Sequence, residues 1–266
     1  MKHEQIAFIG GGNMAEAMIA GLVRAGHEAS AIRVREVRAE RVEALQESYG
    51  IGVCASLEAL SEASIVVLAV KPQQVAEALA PLAGWFDERH TLVSIVAGLP
   101  LAKLRAMLGD RVHIVRAMPN TPALVGAGMA ALFSDSEGEH REHAEYLLRA
   151  CGEALWVERE KDMHAVTAVS GSGPAYFFLL AELLQGAGQT LGLSSDVAAK
   201  LATQTALGAG KMLVESGRPA SELRQQVTSP GGTTQAALDL MLEEGMPELV
   251  RKAVAAAAKR SAELGR

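Results

Sequence analysis

The chain has 266 residues and a net charge of −6, and 49% of its residues are hydrophobic although only 4% are aromatic. That length provides for one large domain or two ordinary ones. Because acidic and basic residues are interspersed, no basic stripe is available to neutralise the phosphates of a nucleic acid, so we expect no nucleic-acid partner.

Cysteine usage and the lengths of the apolar runs indicate the compartment. Cys54 and Cys151 lie far apart and neither belongs to a CxxC motif. This pattern predicts neither a metal site nor a disulfide framework and favours a reducing compartment. No apolar run approaches the roughly 20 residues needed to span a bilayer. We therefore expect a soluble, cytoplasmic protein without a membrane segment.

The N-terminal segment predicts a strand, a glycine turn and a helix. Residues 5–9 form a short apolar run, and an apolar helical pattern follows the sequence Gly-Gly-Gly-Asn-Met-Ala at 10–15. Gly10, Gly12 and Ala15 match the GxGxxG/A pattern, in which the first glycine makes the tight turn, the second admits a pyrophosphate and the small third residue lets the helix pack on the sheet. The segment predicts a dinucleotide site; the alternative is a plain glycine-rich turn.

The end of the second predicted strand gives conflicting signals about the cofactor. Residues 31–35 predict the strand, and Glu36 follows it. An acid at this place takes the ribose 2′-hydroxyl and indicates NAD. Arg35 and Arg38 flank it, however, and arginines can hold the 2′-phosphate of NADP. The alternative is a solvated charged turn leading into a helix over 39–49, with Arg41 on the helix surface.

Further strands continue the first domain. The pattern predicts strands over 64–70, 91–96, 113–117, 128–133 and 154–157, with an amphipathic helix over 139–150. Ligands of doubly wound sheets lie beyond the carboxyl ends of strands. Lys71 and the stiff loop 118–122 follow two of these strands, so both are candidate ligand contacts; a solvent-facing lysine and an ordinary rigid turn are the alternatives.

Strand signals end near residue 160, and helices dominate the rest. We predict an α/β fold with an N-terminal Rossmann domain at 1–160, built on a doubly wound and mainly parallel sheet, followed by an all-α domain at 161–266. Helices are predicted from Pro174 to Leu191, from Ser195 to about Glu215, and over 220–226 and 247–264. So small a bundle has little independent core, so we expect it to pack against a second copy. The alternative is a monomer whose bundle packs on its own sheet.

The segment Ser229-Pro230-Gly231-Gly232-Thr233-Thr234 precedes another apolar helical pattern. Its glycines leave backbone N–H groups unshielded, and the helix start behind them adds oriented donors, which suits an anion such as a carboxylate. The alternative is an ordinary helix N-terminus with a Thr cap.

Five motifs occur together and in order: FIGGGNMAEAM at 8–18, AVKPQ at 69–73, MPNTP at 118–122, SGSGPAY at 170–176 and TSPGGTT at 228–234. The whole chain therefore resembles the pyrroline-5-carboxylate reductase family. The resemblance implies reduction of (S)-1-pyrroline-5-carboxylate to L-proline by NADPH or NADH, the last step of proline biosynthesis. It also implies that the helical domain is a dimerisation domain, in a dimer or a pentamer of dimers.

The resemblance implies particular site residues. The substrate carboxylate would be held by Ser229, Gly231, Gly232 and Thr233, and Thr234 would contact the ring nitrogen as the catalytic residue. The cofactor would contact Ile9, Gly10, Gly12, Asn13, Met14, Arg35, Glu36, Ser56, Ala69, Val70, Lys71, Pro72, Met118, Pro119 and Asn120. Family members often carry Asn where this chain has Ser56, and Ser or Asn where it has Glu36, so the choice between NADPH and NADH stays open.

The chemistry fits these residues. A cyclic imine can bind already protonated, so its carbon is electrophilic and no strong general acid is needed; the three substrate-side motifs contain no His or carboxylate. Catalysis then rests on orientation. The alternatives are a related imine reductase, a β-hydroxyacid dehydrogenase that would use Lys161, and a non-catalytic NAD(P)-binding regulator.

Overall fold

A computed structural model describes residues 1–54, 56, 60 and 62–265. The chain divides into two compact units, one formed by Met1–Ser172 with Ala256–Arg266 and the other by Gly173–Ala255. In the described part of the chain no helix combines the length and the apolar character needed to cross a membrane. The division into 1–160 and 161–266 follows the change from strands to helices in the sequence and stays a prediction.

The first unit is built on one sheet. In chain order its described strands are β1 (Ile6–Ile9), β2 (Ile32–Arg35), β3 (Gly52–Val53), β4 (Ile65–Leu68), β5 (Thr91–Ser94), β6 (His113–Met118), β7 (Gly128–Phe133) and β8 (Gly152–Trp156). They lie in the order β3-β2-β1-β4-β5-β6-β7-β8. All neighbours pair in parallel except β6 and β7. The predicted mainly parallel sheet is confirmed.

Helices cover both faces of this sheet. They are α1 (Asn13–Arg24), α2 (Ala39–Tyr49), α3 (Val75–Leu79), α4 (Leu101–Leu108), α5 (Glu139–Arg149) and α6 (Met163–Val166), and α6 runs on into a π-helical turn at Thr167–Gly171. Alternate residues of each central strand face opposite sides. Phe8 therefore packs in one core with Leu22 of α1 and Leu147 of α5. Ile9 packs in a second core that includes Leu79 of α3 and Leu104 of α4. This two-sided packing is the predicted doubly wound architecture.

The second unit is helical. It contains α7 (Gly173–Thr190), α8 (Ser195–Glu215), α9 (Ala220–Gln226), α10 (Thr233–Glu243) and the first part of α11 (Met246–Leu264). Gly192 lies at φ +96°, which favours glycine after a helix end. The Ser194 side chain caps α8 by accepting from the Val197 N–H at 3.4 Å. These helices and their turns agree with the sequence pattern.

Large apolar side chains remain exposed on the second unit when the chain stands alone. Phe177 is 65% exposed, Phe178 68% and Leu183 60% on α7, and Leu201 on α8 and Leu240 on α10 are also exposed. Monomeric proteins rarely present so large an apolar surface to water. The unit therefore has the surface expected of a subunit interface.

Candidate functional site

The glycine turn after β1 has the geometry that a bound pyrophosphate needs. Gly10 lies at φ +100°, and a Cβ there would come within 2.6 Å of the Ala69 carbonyl oxygen. Gly10 N donates to the Arg35 carbonyl oxygen at 2.8 Å. A Cβ on Gly12 would meet nothing within 4 Å, so the space before α1 is open. Ala15 is buried where α1 packs on the sheet. The three residues therefore have the backbone conformation, open space and packing that the motif requires, and their contacts with a cofactor stay a prediction.

A cleft of about 450 Å³ lies beside this turn. It is at the carboxyl ends of β1, β2 and β4, where the chain switches from one side of β1 to the other, and such switch points hold the ligands of open α/β sheets. The cleft is lined by Ile9, Gly10, Gly12, Arg35, Glu36, Val37, Arg38, Ala69, Val70, Lys71, Gln74, Glu77 and Ala78. Open space at Gly12 and cationic groups in the lining fit a dinucleotide with its phosphates.

The structure brings most of the predicted cofactor residues to this cleft, but not all. The predicted residues outside its lining are Asn13, Met14, Ser56, Pro72, Met118, Pro119 and Asn120. Asn13 and Met14 begin α1, next to Gly12. Pro72 begins a short 3-10 turn directly after Lys71. Ser56 is exposed. The predicted contacts of these residues with a cofactor stay predictions.

Glu36 is tied into the protein by its carboxylate. One carboxylate oxygen accepts from Gly11 N at 2.9 Å and from the Arg38 guanidinium at 3.3 Å. The other accepts from Val37 N at 3.0 Å and from Arg38 N and Nε, each at 3.1 Å. Burial alone would raise the pKa of this carboxyl, but hydrogen bonds from Arg38 and from the Gly11 N–H outweigh burial and lower the pKa to about 2.

Arg41 supports the same turn, although the sequence pattern placed it on the helix surface. Its Nε donates to the Gly11 carbonyl oxygen at 2.6 Å, and its guanidinium pairs with Glu16 of α1. Its side chain is only 20% exposed. The only sequence signal for this contact is a basic residue in the helix after β2, which is too common to single out Arg41.

The loop at 118–122 is anchored within the first unit. Asn120 is buried, its amide nitrogen donates to the Ser170 carbonyl oxygen at 3.1 Å, and its amide oxygen accepts from Met129 N at 2.9 Å. A Cβ on Gly171 would come within 2.6 Å of the Met118 side chain, so the MPNTP and SGSGP motifs pack on each other there. The side chain of Asn120 is thus occupied by contacts that hold the loop.

The TSPGGTT loop of the second unit joins α9 to α10. Gly231 lies at φ +68°, and Gly232 is the N-cap of α10 with no side-chain hydrogen bond capping the helix among the described residues. Gly232 N donates to the Ser229 carbonyl oxygen at 3.0 Å, which closes the turn. The Thr cap that was the alternative is therefore not formed here. No side chain among the residues that the structure describes caps the first amides of α10, which leaves them available to an anion.

Lys161, the residue that a β-hydroxyacid dehydrogenase would use, does not line the dinucleotide cleft. It lies on a smaller cleft of about 240 Å³ together with Arg116, Glu160 and His164. Among the described residues no group of three or more His, Cys, Asp or Glu side chains is arranged to hold a metal ion.

The doubly wound sheet, the glycine turn and the cleft at the switch point define a dinucleotide-binding protein of the Rossmann type. Comparison with known proteins refines this class. Residues 160–264 match the family model described as pyrroline-5-carboxylate reductase dimerisation, and residues 5–98 match the one described as NADP oxidoreductase coenzyme F420-dependent. The chain is 45% identical to a pyrroline-5-carboxylate reductase of Pseudomonas aeruginosa, over 99% of this chain and 98% of that protein. The chain belongs to the pyrroline-5-carboxylate reductase family.

Solved structures agree with this assignment. A pyrroline-5-carboxylate reductase of Coxiella burnetii superposes with a TM-score of 0.94 at 37% identity, covering 99% of both chains. A Plasmodium falciparum pyrroline carboxylate reductase with NADP bound superposes with a TM-score of 0.86 at 30% identity, covering 100% of both chains. These likenesses extend over both compact units of the chain.

Proposed function

We propose that the chain reduces (S)-1-pyrroline-5-carboxylate to L-proline, the last step of proline biosynthesis, with NADPH or NADH as the hydride donor. The observation that carries this proposal is the 45% identity to a pyrroline-5-carboxylate reductase over 99% of the chain. The dinucleotide cleft and the TSPGGTT loop both lie within that length. A related imine reductase, a β-hydroxyacid dehydrogenase-like enzyme and a non-catalytic regulator are the alternatives that the experiment below separates.

Different residues of the cleft would hold different parts of the cofactor. Gly10 makes the turn, and its own N–H donates to the Arg35 carbonyl oxygen. Gly12 and the start of α1 bring backbone N–H groups to the pyrophosphate, since a helix N-terminus favours an anion. Ala69, Val70 and Lys71 follow β4 at the neighbouring strand end. When bound, the nicotinamide cofactor supplies the hydride, and the protein supplies orientation.

The TSPGGTT loop would hold the substrate. The Ser229 hydroxyl and the amides of Gly231 and Thr233 bind the carboxylate, because among the described residues no side chain caps the first N–H groups of α10. The Gly232 amide, which the family resemblance also assigned to the carboxylate, closes the turn instead, since it donates to the Ser229 carbonyl oxygen. Thr234 hydrogen-bonds the ring nitrogen as it changes from iminium to amine. The loop contains no acidic or basic side chain, so the iminium proton is already on the substrate and orientation provides the catalysis.

The exposed apolar side chains of the second unit are proposed to form a homodimer interface. Five such dimers would form the decamer that the family resemblance implies as an alternative to the dimer. Phe177 and Phe178 of α7 are 65% and 68% exposed in the single chain, and burial of aromatic side chains contributes strongly to association. A cytoplasmic location, with neither nucleic-acid nor membrane partners, belongs to the same proposal.

The test is initial-rate oxidation of NADPH and NADH with 1-pyrroline-5-carboxylate, with detection of proline. We expect Thr234→Ala to lower kcat by about 10- to 100-fold, as loss of one positioned hydrogen bond does. Thr228→Ala is the matched control, because the Thr228 hydroxyl donates to the Arg224 carbonyl oxygen at 2.6 Å. Fully active Thr234→Ala would remove Thr234 from the mechanism. If the folded protein binds the cofactor but does not turn over, the remaining alternatives are a non-catalytic regulator and an enzyme that acts on another imine.

A further inference from the structure

The carboxylate of Glu36 has no acceptor capacity left for a ribose hydroxyl. A carboxylate offers about four lone-pair sites. Five hydrogen bonds already reach the Glu36 oxygens, from Gly11, Val37 and Arg38. The side chain is only 8% exposed. An acid in this position reads the ribose 2′-hydroxyl only if it is free to accept from it.

Arg38, in contrast to Glu36, is exposed and still has hydrogen-bonding capacity. Its side chain is 55% exposed and lines the cleft, and its backbone follows Glu36 at the carboxyl end of β2. Two of its five guanidinium N–H groups donate to Glu36, and within the described part of the chain the other three remain for another acceptor. The Glu36 carboxylate thus fixes the position of the guanidinium at the mouth of the cleft.

The charges that line the cleft favour an additional anion. Arg35, Arg38 and Lys71 supply three cations against the two carboxylates of Glu36 and Glu77. The negative charge of Glu36 is compensated by its ion pair with Arg38, whose guanidinium lies 3.1 Å from it. Arginine binds phosphate through several N–H groups at once, which makes it the preferred partner of a 2′-phosphate.

We propose that Arg38, and not Glu36, is the specificity-determining residue at the 2′ position of the adenosine ribose, and that the cleft prefers the 2′-phosphorylated cofactor, NADPH. Glu36 is a positioning residue that holds Arg38 and the Gly11 turn. This assignment rests on the proposed function for its cofactor, and it reverses the role that an acid after β2 has in NAD enzymes.

The test measures binding by calorimetry of 2′,5′-ADP and of 5′-ADP to the full-length protein, so it needs no turnover. We expect 2′,5′-ADP to bind at least about 10-fold more tightly than 5′-ADP, as charged hydrogen bonds to a phosphate provide. Arg38→Ala should lower the affinity for 2′,5′-ADP by about 10- to 100-fold and the affinity for 5′-ADP by less than about threefold. Glu36→Gln should leave the affinity for 5′-ADP within about threefold, because the carboxylate does not contact the ribose.

The chain offers a matched control in Asp87 and Arg89. There too a carboxylate accepts from the backbone N–H and the guanidinium of the arginine two residues later, with Arg89 Nη2 at 2.8 Å from Asp87. That pair lies outside the lining of the cleft, so Arg89→Ala should leave both affinities unchanged.

Three results would overturn the assignment. The first is equal affinity of the unmodified protein for 2′,5′-ADP and 5′-ADP. The second is an equal loss of affinity for both nucleotides in Arg38→Ala. The third is a selective loss of affinity for 5′-ADP of about tenfold or more in Glu36→Gln, which would make Glu36 the ribose acceptor. Turnover with 1-pyrroline-5-carboxylate is measured separately on the same proteins. Failure of the proposed reaction is therefore distinguishable from failure of the cofactor assignment.

Discussion

The contact between Glu160 and Arg116 allows a sharp test of how the first unit is held together. Arg116 lies on β6 with its side chain only 6% exposed, and it donates to Glu160 at 2.7 Å. The same Glu160 oxygen accepts at 2.7 Å from the backbone N–H of Leu101, the first residue of α4. Replacing Glu160 by Ala therefore removes the partner of a buried charge and an acceptor at a helix start.

The expected cost follows from these two losses. Breaking a buried ion pair costs about 3–5 kcal/mol, and loss of a helix cap costs about 1 kcal/mol. Glu160 is 31% exposed and both side chains line the smaller cleft, so water can solvate Arg116 in part. We therefore expect Glu160→Ala to lower the free energy of unfolding by about 2–4 kcal/mol, which corresponds to about 4–10 °C in Tm for a chain of this size.

Urea unfolding of the full chain, followed by circular dichroism, measures this effect. Glu158→Ala is the matched control: Glu158 is exposed two residues away, and surface changes of this kind stay within about 0.5 kcal/mol. The double variant Arg116→Met with Glu160→Ala should be more stable than Glu160→Ala alone, because it no longer buries an unpaired charge. If Glu160→Ala unfolds at the same urea concentration as Glu158→Ala, the ion pair does not stabilise the unit and the reasoning is wrong.

Two further predictions concern the same unit. Burial lowers the pKa of His140 from its ordinary value of 6.5, and so does the charge of His113, whose ring centre lies 3.6 Å from that of His140. Below pH 6.5 the unfolded chain therefore binds more protons than the folded one. The contribution of His140 to the free energy of unfolding is fully present above pH 6.5 and falls below it by up to about 1.4 kcal/mol per pH unit. Urea unfolding between pH 7.5 and 5 checks this, and a slope that His140→Gln leaves unchanged would contradict it. Gly152 lies at φ +147°, with a built Cβ only 2.1 Å from the Gly128 carbonyl oxygen, so Gly152→Ala should cost at least about 3 kcal/mol in a thermal unfolding assay. Gly50→Ala is its control, because Gly50 lies in the left-handed helical region at φ +70° and ψ 21°, with the nearest atom 3.9 Å from a built Cβ, and its loss should stay near 1 kcal/mol.

Local patterns in the sequence predicted most elements of the fold. The predicted helix over 39–49, strand over 128–133 and helix over 220–226 have the bounds of α2, β7 and α9. Glycine and proline positions also marked the turn after β1 and the loop before α10. These features are readable because periodicity and turn chemistry act between residues that are close along the chain.

Some elements carried no such pattern. β3 has only two residues, Gly52 and Val53, and exists because it pairs with the edge of β2. The antiparallel pairing of β6 with β7 is likewise a property of the sheet, since both strands read alike in sequence. The hydrogen bonds at the carboxyl end of β2 also join residues that lie far apart in sequence. Glu36 accepts from Gly11, 25 residues earlier, and Arg41 donates to the same residue.

The sequence by itself determined most strands and helices and their order along the chain, the glycine turn that begins the predicted dinucleotide site and the family resemblance, because each depends on residue types at short, fixed spacing. Only the tertiary structure decided which charged groups pair. Glu36 is saturated by its neighbours while Arg38 keeps free donors, and Arg116 is paired with Glu160 across 44 residues. Charge pairing depends on which strand ends the sheet brings side by side and on how deeply each group is buried, and neither quantity is present in the spacing of residues along the chain.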